Sequence, residues 1–295
     1  MKRKKLIGSL MLVLAALIWG TAFVAQRFGM NYAGPLSFNA VRTLIGAVVL
    51  LPVYLIFRSD GGKKVKKTLL AGLLCGFALF MATNLQQTGL VYTEAGKAGF
   101  ITTFYIILVP VLGVFLKKRT GALTWAAVAV ALCGLYFLCM TPGTFRIERG
   151  DLLELGCALF FAVQILVVDR FVQETDSVLL CCVQFAVDGV LSMILALIFE
   201  KPDFPAIFRG WIPLLYTGVL SCGVAYTLQI LGQKDLHPTV ASLLMSLESA
   251  FAVLGGWVIL RERLSGRELL GCGLMLGAVL LVQLVPAPRE KIPEP

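Results

Sequence analysis

Charged residues are scarce in this sequence of 295 residues: they make up 15% of the chain, whereas 58% of the residues are hydrophobic. Soluble domains carry about 25% charged and about 45–50% apolar residues. The scarcity of charge therefore excludes a soluble globular enzyme, a disordered regulator and a small secreted module. A membrane-spanning helix needs ~20 mostly apolar residues, so ten helices would occupy roughly 200 residues and leave only short connections.

Metal-binding and redox patterns are also missing. The chain has one histidine, and its eight cysteines all lie in apolar stretches without forming a C-x-x-C pair. We therefore expect neither a metal site nor a cofactor, and the cysteines are interpreted as small buried apolar residues. An intramembrane protease would need a buried Ser–His pair or two facing aspartates, and Asp188 has no partner aspartate at similar depth. We expect no enzyme.

Uncharged apolar stretches are what the sequence has in abundance. None alternates in polarity as the strands of a membrane β-barrel do, so the fold class predicted is an all-α integral membrane protein with ten transmembrane helices. The first stretch, Leu6 to Gln26, is longer than the apolar core of a cleaved signal peptide and is predicted to be retained. The ten stretches are residues 6–27, 35–57, 68–91, 97–116, 121–140, 151–171, 177–199, 210–232, 238–260 and 266–285.

The lysines and arginines cluster at the ends of these stretches and give the chain a net charge of +9. With the N-terminus in the cytoplasm, 16 of them lie at cytoplasmic ends and nine at the opposite ends, while Arg42 lies inside the second helix. The positive-inside rule then places both termini in the cytoplasm of a cell with a bacterial-type inner membrane. This explains the basic charge without a nucleic-acid partner.

The two halves of the sequence resemble each other. AALIWGTAFVAQR from Ala15 is echoed by CALFFAVQILVVDR from Cys157, and the stretch from Ala95 is echoed by the one from Val240. Five helices in each half make the repeats insert in opposite directions, and inverted repeats commonly enclose a mid-membrane substrate site. We predict a first repeat at 1–140, a loop at 141–150, a second repeat at 151–285, a cytoplasmic tail at 286–295, and a central cavity.

Four motifs resemble the drug/metabolite transporter superfamily, specifically bacterial proteins with two EamA domains. They are LIWGTAF at 17–23, NAVRTLIGA around Arg42, FITTFYIILVPVLG in the fourth helix, and SLESAFAVLGGWVILRERLSG at 246–266. The last motif carries Glu262 at the family's end-of-repeat position. The first repeat departs from that pattern, because it ends in KKRTG at 117–121 and lacks the glutamate.

This resemblance implies a small-molecule transporter, in most members an exporter, with a cavity lined by helices one to four and six to nine. We therefore expect a secondary transporter working by alternating access, which exports amino acids or similar polar compounds and draws on protons. Two alternatives stay open: uptake of a quaternary amine such as choline, and flipping of a lipid-linked carrier. The partners expected are the small-molecule substrate, membrane lipids and protons. Gly273 and Gly277 form a G-x-x-x-G pair, and a monomer or weak homodimer is expected.

Three ionisable residues lie inside predicted spans, where charge is costly and usually faces a cavity or a partner. Glu248 lies midway along the ninth helix and is a candidate proton carrier, or a packing residue held by neighbouring donors. Asp188 lies similarly deep in the seventh helix. Arg42 could clamp a substrate carboxylate or neutralise one of these acids, and we favour the structural role.

Polar and aromatic side chains at helical spacing complete the predicted cavity, although interhelical packing explains such residues equally well. Pro110 removes a backbone hydrogen bond in the fourth helix and is a candidate gate hinge. The predicted lining residues are Trp19, Phe23, Asn84, Gln87, Tyr105, Gln164, Tyr226 and Gln229.

Overall fold

The computed structural model describes residues 2–57, 62–92, 95–118, 120–139, 148–259 and 265–284, and within these ranges every regular element is a helix. The helices are α1 (Lys2–Gly29), α2 (Pro35–Phe57), α3 (Gly62–Tyr92), α4 (Ala95–Thr102), α5 (Tyr105–Phe115), α6 (Ala122–Cys139), α7 (Arg149–Phe171), α8 (Ser177–Phe199), α9 (Phe204–Arg209), α10 (Trp211–Leu215), the π segment (Tyr216–Ala225), α11 (Tyr226–Gln233), α12 (Pro238–Met245), α13 (Leu247–Ile259) and α14 (Gly266–Leu284).

The all-helical class is confirmed for the described residues, and the ten predicted stretches fall on these helices. Seven helical stretches in the described part are long and apolar enough to cross a membrane. They are Arg3–Gly29, Pro35–Ile56, Val65–Tyr92, Ala98–Phe115, Arg149–Phe171, Ser177–Phe199 and Trp211–Gln233. Ala122–Phe137 and Pro238–Leu254 are shorter apolar helices. Ten crossings therefore remain a prediction.

Apolar side chains cover the outside of the helix bundle. Ile56 is 74% exposed, Phe115 81% and Phe199 72%. Polar side chains lie inside instead: Asn39 and Gln184 are completely buried. This inverted distribution is what a lipid environment demands, because polar groups must find partners within the protein.

The contacts between the two halves, α1–α6 and α7–α14, come in matching pairs: a contact made by a helix of one half is repeated by the equivalent helix of the other half. α3 packs on α7 and α8. Its equivalent in the second half, the π segment with α11, packs on α1 and, through the π segment, on α2. α1 packs on α12 and α13, just as α7 packs on α4 and α5. In three further contacts a helix packs on its own equivalent in the other half: α2 on α8, α6 on α14, and the fourth predicted helix on the ninth, through α5 and α12. Two halves related by a pseudo-twofold axis would produce this pattern.

Among the described residues, each half contains an interrupted helix at nearly the same place in the repeat. The fourth predicted helix breaks at Thr103 and Phe104, between α4 and α5, and the ninth breaks at Ser246, between α12 and α13. The breaks meet inside the bundle, where the hydroxyls of Thr103 and Ser249 lie 2.9 Å apart. The backbone is helical across Pro110, which lies inside α5, so the interruption lies N-terminal to the predicted hinge.

The end of the bundle that holds the N-terminus, here the near end, is tied across the halves by ion pairs. Lys67 on α3 pairs with Glu174, and Lys118 pairs with Asp169 on α7. The hydrogen bond from Lys67 lowers the pKa of the exposed Glu174 carboxyl below its ordinary value.

At the opposite end, here the far end, one carboxylate joins the halves. Glu200, which follows α8, accepts hydrogen bonds from the backbone amides of Leu36 and Ser37 at 2.8 and 2.7 Å, and from the Ser37 hydroxyl at 2.6 Å. A carboxylate at the first turn of α2 satisfies unpaired amides and complements the helix dipole.

Candidate functional site

A cavity lies inside the bundle between the two halves. Helices α1, α2, α3, α5, α7, α8, α12 and α13, together with the π segment and α11, contribute its wall. The lining residues are Trp19, Phe23, Gln26, Arg42, Thr43, Thr83, Gln86, Tyr105, Phe161, Gln164, Ile165, Phe185, Ser221, Cys222, Tyr226, Gln229, Met245 and Glu248. The cavity volume is about 50 Å³, which holds only a few water molecules at ~10–15 Å³ each.

Small residues bring the walls of the cavity together. A methyl group on Gly20 would lie 2.6 Å from the Glu248 carbonyl oxygen, and one on Gly46 would lie 2.6 Å from Cys222 Cβ. Such close helix approach is typical of glycine contacts in membranes. It places Trp19 and Glu248 on adjacent walls. The Trp19 ring packs edge-on against Tyr226, with the ring centroids 4.8 Å apart.

Two side chains of opposite charge line this cavity. The Arg42 Nε donates to Asn39 Oδ1 at 2.9 Å, which orients the guanidinium. Glu248 Oε1 accepts a hydrogen bond from the Tyr105 hydroxyl at 3.1 Å. Within the part of the chain that the structure describes, neither Arg42 nor Glu248 belongs to an ion pair. The cavity thus holds a basic and an acidic side chain that form no ion pair with each other.

Several polar atoms on the cavity wall are buried without a hydrogen-bond partner. They include the indole Nε1 of Trp19 and the amide oxygens of Gln26 and Gln229. The Gln229 amide nitrogen donates to Gln164 Oε1 at 3.0 Å, and Gln164 Nε2 donates to Gln184 Oε1 at 3.3 Å. The chain of amides leaves an acceptor free at its Gln229 end. Buried unpaired polar atoms are costly, and at a cavity wall they are met by water or a polar ligand.

Asp188 lies beside this cavity in a closed cluster of hydrogen bonds between α2, α3 and α8. Its carboxylate accepts from Ser192 at 2.9 Å, Thr83 at 3.1 Å and Asn39 at 3.3 Å. Asp188, Asn39 and Ser192 are completely buried. Because Asn39 also accepts from Arg42, the cluster connects Asp188 to the guanidinium through one amide.

The predicted residues thus separate into two groups. The structure brings Trp19, Phe23, Arg42, Tyr105, Gln164, Tyr226, Gln229 and Glu248 to the cavity wall. Asp188, Asn84, Gln87 and Pro110 are buried but do not line it. Asn84 donates to Ser192 at 2.7 Å and so extends the Asp188 cluster. Glu262 lies outside the described residues.

Some lining residues were missed by the sequence analysis. Gln86 lines the cavity, whereas the lining residues predicted on the third helix are Asn84 and Gln87. Ser221 and Cys222, which belong to the π segment, also line the cavity and were not predicted to do so. π-Helical turns frequently mark functional sites, but the sequence carries no sign of one here. In the residues that the structure covers, no group of three His, Cys, Asp or Glu side chains could hold a metal ion.

The family model that matches this chain and two similar proteins are described as transporters. A model of the EamA-like transporter family matches residues 6–140 and again residues 148–284. An uncharacterized transporter of Archaeoglobus fulgidus is 32% identical over 95% of this chain and 87% of its own length. The uncharacterized transporter YwfM of Bacillus subtilis is 29% identical, with 96% of each chain covered. A solved crystal structure with 19% identity superposes with a TM-score of 0.80 over 93% of this chain and 96% of its own, which shows the fold alone.

Proposed function

Because the chain belongs to the EamA-like transporter family, we propose that it is a secondary transporter for zwitterionic metabolites such as amino acids. The observation that supports this substrate class is the pair of opposite charges in one cavity. Arg42 and Glu248 both face the cavity, and neither is neutralised by an ion pair among the described residues. A zwitterion carries the two complementary charges on one small molecule.

Each charged group has free hydrogen-bonding capacity for such a substrate. Asn39 binds the Nε of Arg42. Among the described residues no hydrogen bond uses the terminal nitrogens, which we propose bind a carboxylate in the bidentate geometry of guanidinium groups. Tyr105 occupies Oε1 of Glu248, and we propose that Oε2, which accepts no hydrogen bond from the described residues, binds an ammonium group. The aromatic rings of Trp19 and Tyr226 provide apolar contact for the substrate side chain.

The two alternatives fit the cavity less well. A quaternary amine would find an aromatic wall, as its binding requires, but Arg42 would repel its permanent positive charge. A lipid-linked phosphate would be attracted by Arg42 and repelled by Glu248. Each alternative leaves one of the two charged groups opposed to its ligand.

Alternating access is proposed from the repeat and the ends of the bundle. We propose ten crossings in two inverted repeats, with both termini in the cytoplasm of a bacterial-type inner membrane, and export as the direction. In this structure the near end is tied by Lys67–Glu174 and Lys118–Asp169. The cavity is too small for an amino acid, so entry requires the walls to separate. Glu248 is the proposed proton carrier of the coupled step.

A ligand panel tests the substrate class. Purified protein is heated with leucine, with isopentylamine, which lacks the carboxylate, with 4-methylpentanoate, which lacks the ammonium group, and with choline. A ligand that binds the folded state raises the unfolding temperature by mass action. We expect leucine to raise it and the other three to raise it less. In the Arg42→Lys variant, which keeps the charge but not the bidentate geometry, the leucine effect should fall.

The same panel contains the outcomes that contradict the proposal. If choline alone stabilises the protein, the cavity binds a quaternary amine and not a zwitterion. If leucine and isopentylamine stabilise it equally, Arg42 does not bind the substrate carboxylate. Counterflow of radiolabelled leucine in liposomes then tests transport. No exchange above protein-free liposomes would refute an amino-acid carrier.

A further inference from the structure

Glu154 is a buried carboxyl that the cavity does not use. It lies on α7 near the far end of the bundle and is completely buried. Its Oε2 accepts a hydrogen bond of 2.6 Å from the hydroxyl of Thr102, the last residue of α4. Its Oε1 is buried and has no hydrogen-bond partner. An ionisable group in such a place is costly and usually functional.

The repeat shows that packing alone does not require a carboxyl here. The alignment of Ala15 with Cys157 puts Leu12 at the position equivalent to Glu154. Leu12 fits against Gly232, where an added methyl group would lie 2.9 Å from Leu12 Cδ2. Glu154 fits in the same way against Gly89, where the added methyl group would lie 2.6 Å from Oε1. The space beside Gly232 is filled by an apolar side chain, and the space beside Gly89 is filled by a carboxyl group.

Among the side chains that the structure describes, the titratable neighbours of Glu154 supply no positive charge in contact with it. On α7 itself they are Asp151, one turn before, and Cys157, one turn after. α4 presents the Thr102 hydroxyl and α3 presents Gly89. In the described part of the chain, where the side chain of Lys97 on α4 is not included, no ion pair contains Glu154.

The helix break adds negative potential at the same place. In a continuous helix the carbonyls of Phe100 and Thr102 would accept from the amides of Phe104 and Ile106. These amides donate instead to Ile101 and Thr103, both at 3.0 Å. Thr102, which binds Glu154, is the last residue of α4, so the carboxyl lies beside the negative end of this helix. Oε1 lies against Gly89 with no open space around it, so a proton is the cation that fits.

The break in the fourth predicted helix connects this carboxyl to the cavity. Thr102, just before the break, donates its hydrogen bond to Glu154. Tyr105, just after the break, donates its hydrogen bond to Glu248 on the cavity wall. The two carboxyls therefore contact the two sides of one interrupted helix.

We infer that Glu154 is a second proton-binding site of this protein, on the far-end side of Glu248, which holds its proton while α4 and α7 are in contact. When α4 moves away from α7, the O–H bond breaks, the proton passes to water at the far end, and the carboxylate remains. Protonation of Glu154 itself follows from its surroundings alone. Its part in driving transport rests on the proposed function.

Infrared spectroscopy of the purified, detergent-solubilised protein tests the site without any substrate. Protonated carboxylic acids have a carbonyl stretch separate from that of carboxylates, and a pH titration follows it. We expect the Glu154→Gln variant to lose one acid band that Glu248→Gln and Asp188→Asn both retain. The Glu154→Leu variant, which copies the equivalent Leu12, should fold and lose the same band. An unchanged acid band in both Glu154 variants would overturn the proposal.

Transport assays in liposomes test the role of Glu154 in coupling separately from its protonation. Leucine uptake driven by a pH gradient should fall at least tenfold in Glu154→Leu, whereas leucine exchange without a gradient should be unchanged. Loss of the band together with unchanged driven uptake would overturn the coupling role and leave the proton site standing. If Na⁺ shifts the carboxylate band and pH does not, the site binds sodium, and the proton assignment is wrong. If wild-type protein transports no leucine, the amino-acid proposal fails, while the infrared result still decides Glu154.

Discussion

Asp188 and Glu248 are both carboxyls buried deep in apolar helices, yet their surroundings differ. Asp188 accepts hydrogen bonds from Asn39, Thr83 and Ser192 and faces no open space. Glu248 accepts one hydrogen bond, from Tyr105, and faces a cavity whose wall carries unpaired polar atoms. The first arrangement stabilises the contact of three helices, and the second leaves bonding capacity for a ligand.

The difference teaches that an ionisable residue inside a span is not by itself a substrate site. What separates a packing residue from a binding residue is the number of partners already provided by the protein. A satisfied cluster rigidifies the helices around it, whereas an unsatisfied wall next to free volume is suited to bind. Arg42 belongs to both regions, since Asn39 holds its Nε and its guanidinium faces the cavity.

The largest expected effect is on stability, in the Asp188→Leu variant. Removing the carboxylate leaves the Ser192 hydroxyl without its acceptor, whereas Thr83 can still donate to the Leu79 carbonyl and Asn39 to Thr83 and Ser192. We expect the free energy of unfolding to fall by roughly 1–3 kcal/mol. Reversible unfolding in mixed micelles measures it. Ser192→Ala is the control: it removes one hydroxyl, which donates to Asp188 and accepts from Asn39 and Asn84, and it should cost about 1 kcal/mol because Asp188 keeps its other donors. A loss below that of the control would mean that the cluster does not hold the helices together.

Unlike Asp188→Leu, the Glu248→Gln variant should change ligand binding more than the free energy of unfolding. Glutamine keeps an acceptor for Tyr105 but no charge for an ammonium group. We expect leucine affinity to fall roughly tenfold to a hundredfold, as for loss of a charged hydrogen bond, with little change in unfolding. Calorimetry with leucine and 4-methylpentanoate measures both ends of the ligand. Equal loss for the two ligands would show that Glu248 does not bind the ammonium group.

A smaller effect is expected from Trp19→Phe, which removes one unpaired donor from the cavity wall. The ring contact with Tyr226 is kept, so stability should be unchanged within about 0.5 kcal/mol. Leucine affinity should fall roughly two- to tenfold if the indole N–H binds the ligand. Trp125→Phe, at a partly buried position away from the cavity, is the matched control. A similar loss in both variants would contradict a direct contact at Trp19.

The smallest effect is expected from Glu174→Gln at the exposed near-end ion pair. The pKa of Glu174 is lowered by Lys67, so any stabilisation is present above the ordinary carboxyl pKa and is lost as pH falls through the lowered value. Exposed pairs contribute little, and the unfolding midpoint at neutral pH should stay within experimental scatter. A pH-dependent difference as large as that of Asp188→Leu would show that the near-end pair, and not the buried cluster, dominates stability.

Much of the fold could be predicted because lipid imposes a simple rule on sequence. Long uncharged stretches have to be helices, since backbone groups find no partner in hydrocarbon. The breaks at Thr103–Phe104 and Ser246 could not be predicted in this way, because a hydropathy pattern does not distinguish a continuous helix from an interrupted one. Pro110 lies inside α5, and its role as a gate hinge stays a prediction.

The candidate site was predicted in part for a related reason. Trp19, Tyr105 and Glu248 lie in motifs that resemble a known family, and the structure places them on the cavity wall. Glu154 was overlooked, although a glutamate within an apolar stretch is visible in the sequence, because it lies close to a helix end, where charge is ordinary. Only the packing of α3 and α4 against α7 shows that it is buried.

The sequence by itself determined that the chain is an all-helical membrane protein with two similar halves, because hydrophobicity and repetition are properties of residue order. The tertiary structure decided which buried polar groups are satisfied and which remain free. That distinction depends on distances between atoms on different helices, such as the 3.1 Å between Tyr105 and Glu248. Those distances are set by how the helices pack, and no single stretch of sequence contains them.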